Sequence, residues 1–299
     1  KVAEGHYLSD ELVIHYGLVP RTNRGIFCIN ELPDLAERIQ VGLFNLMEER
    51  DVQIKGYRIR LPLDVYVVST ANPEDYTNRG RIVTPLKDRY GSQIHTHYPK
   101  TIEEEIAIMD QERTRFPDED SMVIPYYMKE ILAEITSQAR ESSEINQRSG
   151  VSCRVSISNF ETLLGNALRR SIIHGEQYVC PRTSDLPYIM ASFSGKIELE
   201  TFEEGRESRV TDDLTRRGVL RVFGGVFEVD ELERIVTAFD MGNTAETSSE
   251  KPASEYLAML AQVDGLADAV KKVTTDERPE VVASAVEFIL EGLHLNRRL

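Results

Sequence analysis

The chain has 299 residues, 41% of them apolar and 28% charged, with a formal net charge of −15; this is the composition of an ordinary soluble globular protein with room for about two domains. The acidic excess argues against nucleic-acid partners, which are held by neutralising phosphates with Lys and Arg, and against anionic membrane surfaces; no apolar run reaches the ~18 residues of a membrane helix. Three scattered cysteines, Cys28, Cys153 and Cys180, form no CxxC pair, which excludes a disulfide framework or zinc ribbon and leads us to expect a reducing, cytoplasmic setting.

The first residue is lysine, which suggests a fragment or a processed chain, and no secretory signal is visible. Residues 25–30 ("GIFCIN") read as a buried strand. In 33–50, Leu35, Ile39, Leu43, Leu46 and Met47 recur on one helical face, with Pro33 in the first turn. "VQIKGYRIRLP" (52–62) alternates about Lys55-Gly56 and predicts a hairpin. "DVYVVST" (64–70) is a second apolar strand that runs into the polar "ANPEDYTNRGR", and "SQIHTHY" (92–98) reads as a third short strand. Strands alternating with helices predict an α/β fold with a parallel sheet and crossover connections.

From residue 101 the periodicity turns helical. "TIEEEIAIMDQERTRF", "PYYMKEILAEITSQARESSEI" and "SISNFETLLGNALRRSIIHG" predict three helices, the last closing at Gly175. "CPRTSDLPYIMASF" predicts a short fourth, bounded by prolines. Residues 194–217 are charged and mixed, "VLRVFGGVFEV" suggests a strand pair turning at Gly224-Gly225, and 230–239 suggests a helix. Residues 241–254 have linker composition, and two terminal helices are expected at about 255–273 and 278–293. No internal repeat is apparent.

In α/β sheets, ligands sit beyond the carboxyl ends of the strands. The first strand delivers Asn30 and Glu31 there and the second delivers Asn72. "TPLKDRYGS" adds Arg89, and "GVSCRVSISNF" adds Arg154 at a helix start. A carboxylate, an amide and two guanidiniums suit a water beside a phosphoryl group: the acid takes the proton, the amide orients the water, and the cations offset developing charge. Each residue also has a plainer reading. Glu31 can favour the positive end of the following helix, Asn72 before Pro73 is a turn signal, Arg89 can form a surface ion pair, and Arg154 can be structural. Arg79 and Arg81 read as a solvated loop, with phosphate or a neighbour as the alternative contact. His95 and His97 alternate but lack a third metal ligand. Cys153 beside Arg154 reads as an inert thiol rather than an activated one.

Taken in order, these segments resemble the MoxR and magnesium-chelatase I-subunit branch of the AAA+ ATPases. "GIFCINEL" is similar to the Walker B strand, "VSTANPED" to the sensor-1 strand, "TPLKDRYG" to the arginine-finger segment and "GVSCRVS" to the sensor-2 segment at the base of the lid helix. "VQIKGYRIRLP" sits where the family carries a β-hairpin, which can face a ring pore or pack between subunits. The resemblance covers roughly residues 1–192. It implies the C-terminal part of a parallel-sheet AAA+ core over 1–100 and a helical lid over 101–192, followed by a mixed extension (193–240), the 241–254 linker and terminal helices (255–299).

The resemblance further implies ATP and Mg2+ as cofactors. Glu31 would activate water, Asn72 would position it, Arg89 would reach the nucleotide of a neighbouring subunit, and Arg154 would contact its own chain's nucleotide from the lid. Asn30 stands where the family has the Walker B aspartate, and would serve Mg2+ through water with weakened attraction because an amide is neutral. A homo-oligomeric ring, commonly a hexamer, and a von Willebrand A domain partner are implied as well. No G-x-x-x-x-G-K-[ST] occurs in the sequence. In the family that phosphate-binding loop lies ahead of the point where this chain begins, so the 299 residues alone are expected neither to bind ATP well nor to fold cleanly. Two functions stand: an ATP-hydrolysing motor that remodels a partner or loads metal into it, and a nucleotide-dependent ring scaffold with weak or no hydrolysis. A transcription activator of the same superfamily is disfavoured, because neither a GAFTGA-type loop nor a DNA-binding helix pair is present.

Overall fold

The computed structural model describes residues 15–53, 60–72, 81–201 and 205–299. The fold is mixed α/β, mostly helical, with a small parallel sheet. It divides into two compact units, Lys1–Thr96 and His97–Leu299.

The first unit runs α1 (Leu18–Arg21), β1 (Gly25–Ile29), a 3₁₀ turn (Leu32–Asp34), α2 (Glu37–Glu48), β2 (Asp51–Gln53), β3 (Arg60–Pro62), β4 (Val65–Ser69) and α3 (Thr84–Asp88). β1 pairs in parallel with β4, Gly25 opposite Val65 and Ile29 opposite Ser69. β2 pairs antiparallel with β3, Val52 opposite Leu61; the turn expected at Lys55-Gly56, like Arg79, lies outside the described residues. The single helix expected over 33–50 starts later. Pro33 sits in the 3₁₀ turn and Leu35 closes it in an extended conformation, so the α-helical ladder begins at Glu37.

Leu32, Leu43, Leu46 and Leu86 pack with Ile29 and Leu63 in one small core. Gln40 is buried inside this unit. Its Nε2 donates to Leu35 O (2.9 Å) and Arg81 O (3.1 Å). Its Oε1 accepts from Val83 N (3.0 Å), so one satisfied amide ties α2 to the approach to α3. The alternate side chains on the strands are bare: Ile26, Cys28, Tyr66 and Val68 are all exposed. The third strand expected at 92–98 does not form. Alternation makes a strand only where a ladder is offered. No described residue pairs with this stretch, and Ile94 is 87% exposed.

The second unit contains α4 (Ile102–Glu112), α5 (Tyr126–Glu141), α6 (Arg154–His174), a 3₁₀ segment (Thr183–Ile189), α7 (Met190–Ser194), α8 (Arg206–Val226), α9 (Glu233–Asp240), α10 (Ala253–Gln262), α11 (Leu266–Val273) and α12 (Pro279–Leu295). One apolar core extends from Ile106 to Leu293. α12 is buried on nearly every face. Phe288 on α12 stacks on Tyr127 of α5 at 4.5 Å and meets Phe223 of α8 edge-on at 5.9 Å. α6 ends as expected, with Gly175 left-handed at φ 64°.

Three expectations in this unit are corrected. "VLRVFGGVFEV" is no strand pair: residues through Val226 form the end of α8. Val210, Leu214, Gly218 and Val222 recur every fourth residue on its buried side, a pattern hidden by the charges of the opposite face. Gly218 lets α8 approach α5 closely, since a Cβ there would lie 2.8 Å from Ile135 Cγ1 and 3.2 Å from Ile131 O. The helix expected over 255–273 is two helices, because Gly265 adopts φ 83° between α10 and α11.

The 241–254 stretch is anchored rather than free spacing. Lys251 O accepts from the buried Arg182 Nη1 (2.8 Å). Ala253 N donates to Glu176 Oε1 (2.8 Å), and Ser248 N to Tyr256 Oη (3.1 Å). Polar composition gave no hint of these partners, of which Arg182 and Glu176 come from distant parts of the chain.

Candidate functional site at the carboxyl edge of the parallel strands

β1 and β4 continue to bond one step past their last paired residues. Thr70 N donates to Ile29 O and Leu32 N donates to Thr70 O, each at 2.9 Å. The Thr70 side chain closes the corner. Its Oγ1 donates to Asn30 Oδ1 (2.7 Å) and accepts from Glu31 N (3.0 Å). Glu31 has left-handed backbone angles, φ 53° and ψ 60°. A non-glycine residue in that region costs on the order of 1 kcal/mol or more and persists only where neighbours fix it. The bonds from Thr70 and the start of the 3₁₀ turn at Leu32 do so. The result is an exposed glutamate on a pinned backbone, next to Asn30, with the Thr70 hydroxyl bonded to both.

Asn72 lies two residues beyond Thr70, exposed, past the carboxyl end of β4. The strands therefore bring Asn30 and Glu31 to the same edge from which Asn72 follows. Glu31 does not act as a side-chain cap: it holds the N-cap position of the 3₁₀ turn without a side-chain hydrogen bond. Thr70 is the residue that sequence reading missed. Its position opposite Asn30 in a parallel register was the available signal.

Arg89, at the C-cap of α3, is not gathered at that edge by a bond to Glu31. Its Nε donates to Glu48 Oε2 (2.8 Å), its Nη2 bonds the same oxygen, and its Nη1 donates to Pro85 O (2.7 Å). The guanidinium lies 4.9 Å from the centre of the Phe44 ring. The ion-pair reading of Arg89 is thus realised within its own unit.

Arg154 is the first residue of α6 in the second unit, and it is exposed. Among the described residues it has no hydrogen-bond or ion-pair partner. No acid occupies the first turn of α6. A cation at the positive end of a helix is mildly unfavourable, by about 0.3–1 kcal/mol. Among the described residues Arg154 is thus an exposed cation at the start of α6. At Cys153, just before it, burial pushes the thiol pKa up and the Glu105 carboxylate adds to the rise, outweighing Arg140.

Magnesium prefers six oxygen ligands and keeps several waters. Asn30 Oδ1 already accepts from Thr70 and carries no charge. Among the described residues no group of three or more His, Cys, Asp and Glu side chains is placed to hold a metal, and His95 and His97 are both exposed. The donor set at the strand edge does not form an all-protein cage for a metal ion.

A cavity of about 430 Å³ in the second unit contains none of these residues. Lys100, Arg140 and Arg221 on its wall are matched by Glu105, Glu134 and Glu141, so it offers no net charge to a ligand. Among the described residues no helix is long and apolar enough to cross a membrane. No protein-family model matches the chain, and no curated protein matches it either.

Proposed function

We propose that this chain supplies the water-activating part of an ATP-hydrolysing site of the AAA+ type, in the MoxR and magnesium-chelatase I-subunit branch. On this reading the first unit belongs to the ATPase core and the helices from α4 onward begin the lid. The observation that carries the proposal is the corner at Thr70, which fixes a strained, exposed Glu31 at the carboxyl ends of two parallel strands. Glu31 takes the proton of the attacking water, and Asn72 orients that water. Asn30 accepts from a water of the hydrated magnesium. Arg89 meets the nucleotide of a neighbouring protomer in a ring, commonly hexameric, and Arg154 is carried as a nucleotide-facing cation of the second unit. The bare apolar face of β1 and β4 is a second support, since parallel strands are normally covered on both faces. The work done is remodelling of a partner, or metal loading into it, with a von Willebrand A domain protein as the partner class.

The 299 residues contain no G-x-x-x-x-G-K-[ST], and the test uses the protein as its gene encodes it. Magnesium-dependent ATP turnover is compared with that of Glu31→Gln, and nucleotide binding is measured separately with a fluorescent analogue. Loss of a general base lowers turnover by about 10²–10⁴-fold. Binding should survive. Unchanged turnover in Glu31→Gln would defeat the proposal. A second reading, the ring scaffold with weak hydrolysis, is favoured by Asn30, whose neutral oxygen is already engaged by Thr70. It predicts near-background turnover in both proteins with nucleotide-driven assembly intact.

A further inference from the structure

We infer that Glu48 holds the Arg89 guanidinium folded back on its own protomer, so that Arg89 reaches a neighbour's triphosphate only after this carboxylate lets go. The inference rests on the role proposed for Arg89 above. Three of its N–H directions are occupied at home: Nε and Nη2 on Glu48 Oε2, and Nη1 on Pro85 O. Phe44 supplies an aromatic face beneath the same group. Glu48 is the last residue of α2, where the helix presents its negative end and the final turn carries no basic residue. A carboxylate there is disfavoured by the helix itself. The Arg89 charge offsets part of that penalty.

The restraint is of the right strength for a latch. The Arg89 side chain is 25% exposed and that of Glu48 58%, and ion pairs this open shift an equilibrium by no more than about fivefold. A polyphosphate carries several charges and presents more acceptors to the guanidinium fork than one carboxylate oxygen does. It therefore displaces Glu48 when a neighbour docks, whereas an isolated protomer keeps Arg89 closed. Glu48 is on this account a positioning residue that sets how readily the protomers complete each other's sites.

The test uses the nucleotide-free full gene product at a concentration below assembly. Wild type, Glu48→Gln and Glu48→Ala are treated with phenylglyoxal, and the modification rate of each arginine is read by peptide mass spectrometry. Arg89 should react about two- to fivefold faster in both variants, with the rate at Arg154 unchanged as the internal control. The protein concentration giving half-maximal ATP turnover should fall by a similar factor. An unchanged Arg89 rate in both variants overturns the inference. So does faster modification accompanied by lost maximal turnover, which would place Glu48 in the engaged geometry instead. Glu48 is exposed at a helix end, so neither substitution threatens the fold. Absence of wild-type turnover would count against the proposed function alone, and the modification rates would still decide whether Glu48 holds Arg89.

Discussion

Thr70→Val is the substitution that isolates the strand-edge corner. Valine keeps the shape and the β-branched preference of a strand end, and removes only the hydroxyl. Two bonds are lost, Thr70 Oγ1 to Asn30 Oδ1 at 2.7 Å and Glu31 N to Thr70 Oγ1 at 3.0 Å. A net hydrogen bond is worth about 0.5–1.5 kcal/mol. Thr70 is exposed, so water replaces much of that, and the loss of global stability should stay below about 1 kcal/mol. The left-handed backbone of Glu31, φ 53°, then loses one of the bonds that hold it, and relaxation by that residue moves the carboxylate away from its bound position. Misplacement of a catalytic group by about 1 Å costs up to about 10²-fold in rate. Full-length Thr70→Val should therefore unfold in urea almost as wild type does, bind a fluorescent ATP analogue normally, and turn ATP over at least about tenfold more slowly. Turnover equal to wild type would refute the claim that this corner positions Glu31. A large drop in the urea midpoint would show that the corner is structural.

The remaining predictions concern stability and exposure. In Gly292→Ala, the new Cβ would collide with the Phe223 ring; overpacking of about 1–3 kcal/mol should exceed the helix-propensity gain of about 1 kcal/mol, and a lowered thermal midpoint checks it. Glu119 is held below its ordinary value of 4.5 by its hydrogen bond from Arg113, whose charge adds to the effect. Its folded pKa lies below the unfolded one, so its stabilisation is present above about pH 4.5 and lost as pH falls through the folded value. Arg113→Gln should thus be less stable than wild type in urea at pH 7, with the gap narrowing at pH 3; a gap independent of pH would argue against the linkage. The Cys180 thiol is buried and pushed up to about 12, chiefly by desolvation, so iodoacetamide at pH 8 should label it only on unfolding. Cys28 is exposed on the bare face of β1 and should label at once in the folded chain.

Much of the first unit was legible because strands of a parallel pair carry their own signal: "GIFCI" and "VYVVS" are apolar runs of strand length cut off by polar residues. Asn30 and Glu31 could be read as edge residues for that reason alone. The Glu31 backbone, the Thr70 clamp and the Glu48–Arg89 pair could not, since each depends on a partner roughly 40 positions away and on register. In the second unit, α5 and α6 declared themselves by periodicity. α8 did not, because its exposed face is dense in charge and its apolar end is rich in β-branched residues and glycine, which mimics a hairpin until α5 and α12 are there to pack against it. The 92–98 strand failed for the complementary reason: its alternation is real, but a strand is defined by the neighbour it bonds to.

The most direct test of shared sites between protomers mixes two inactive full-length proteins, Glu31→Gln and Arg89→Ala, in equal amounts under conditions that let rings reassemble. A site is intact only where an Arg89→Ala protomer supplies Glu31 and a Glu31→Gln protomer supplies Arg89. Random head-to-tail assembly makes that about one interface in four. Recovery of ATP turnover toward about a quarter of wild type is the predicted result, and turnover that stays at the level of the separate variants would contradict it.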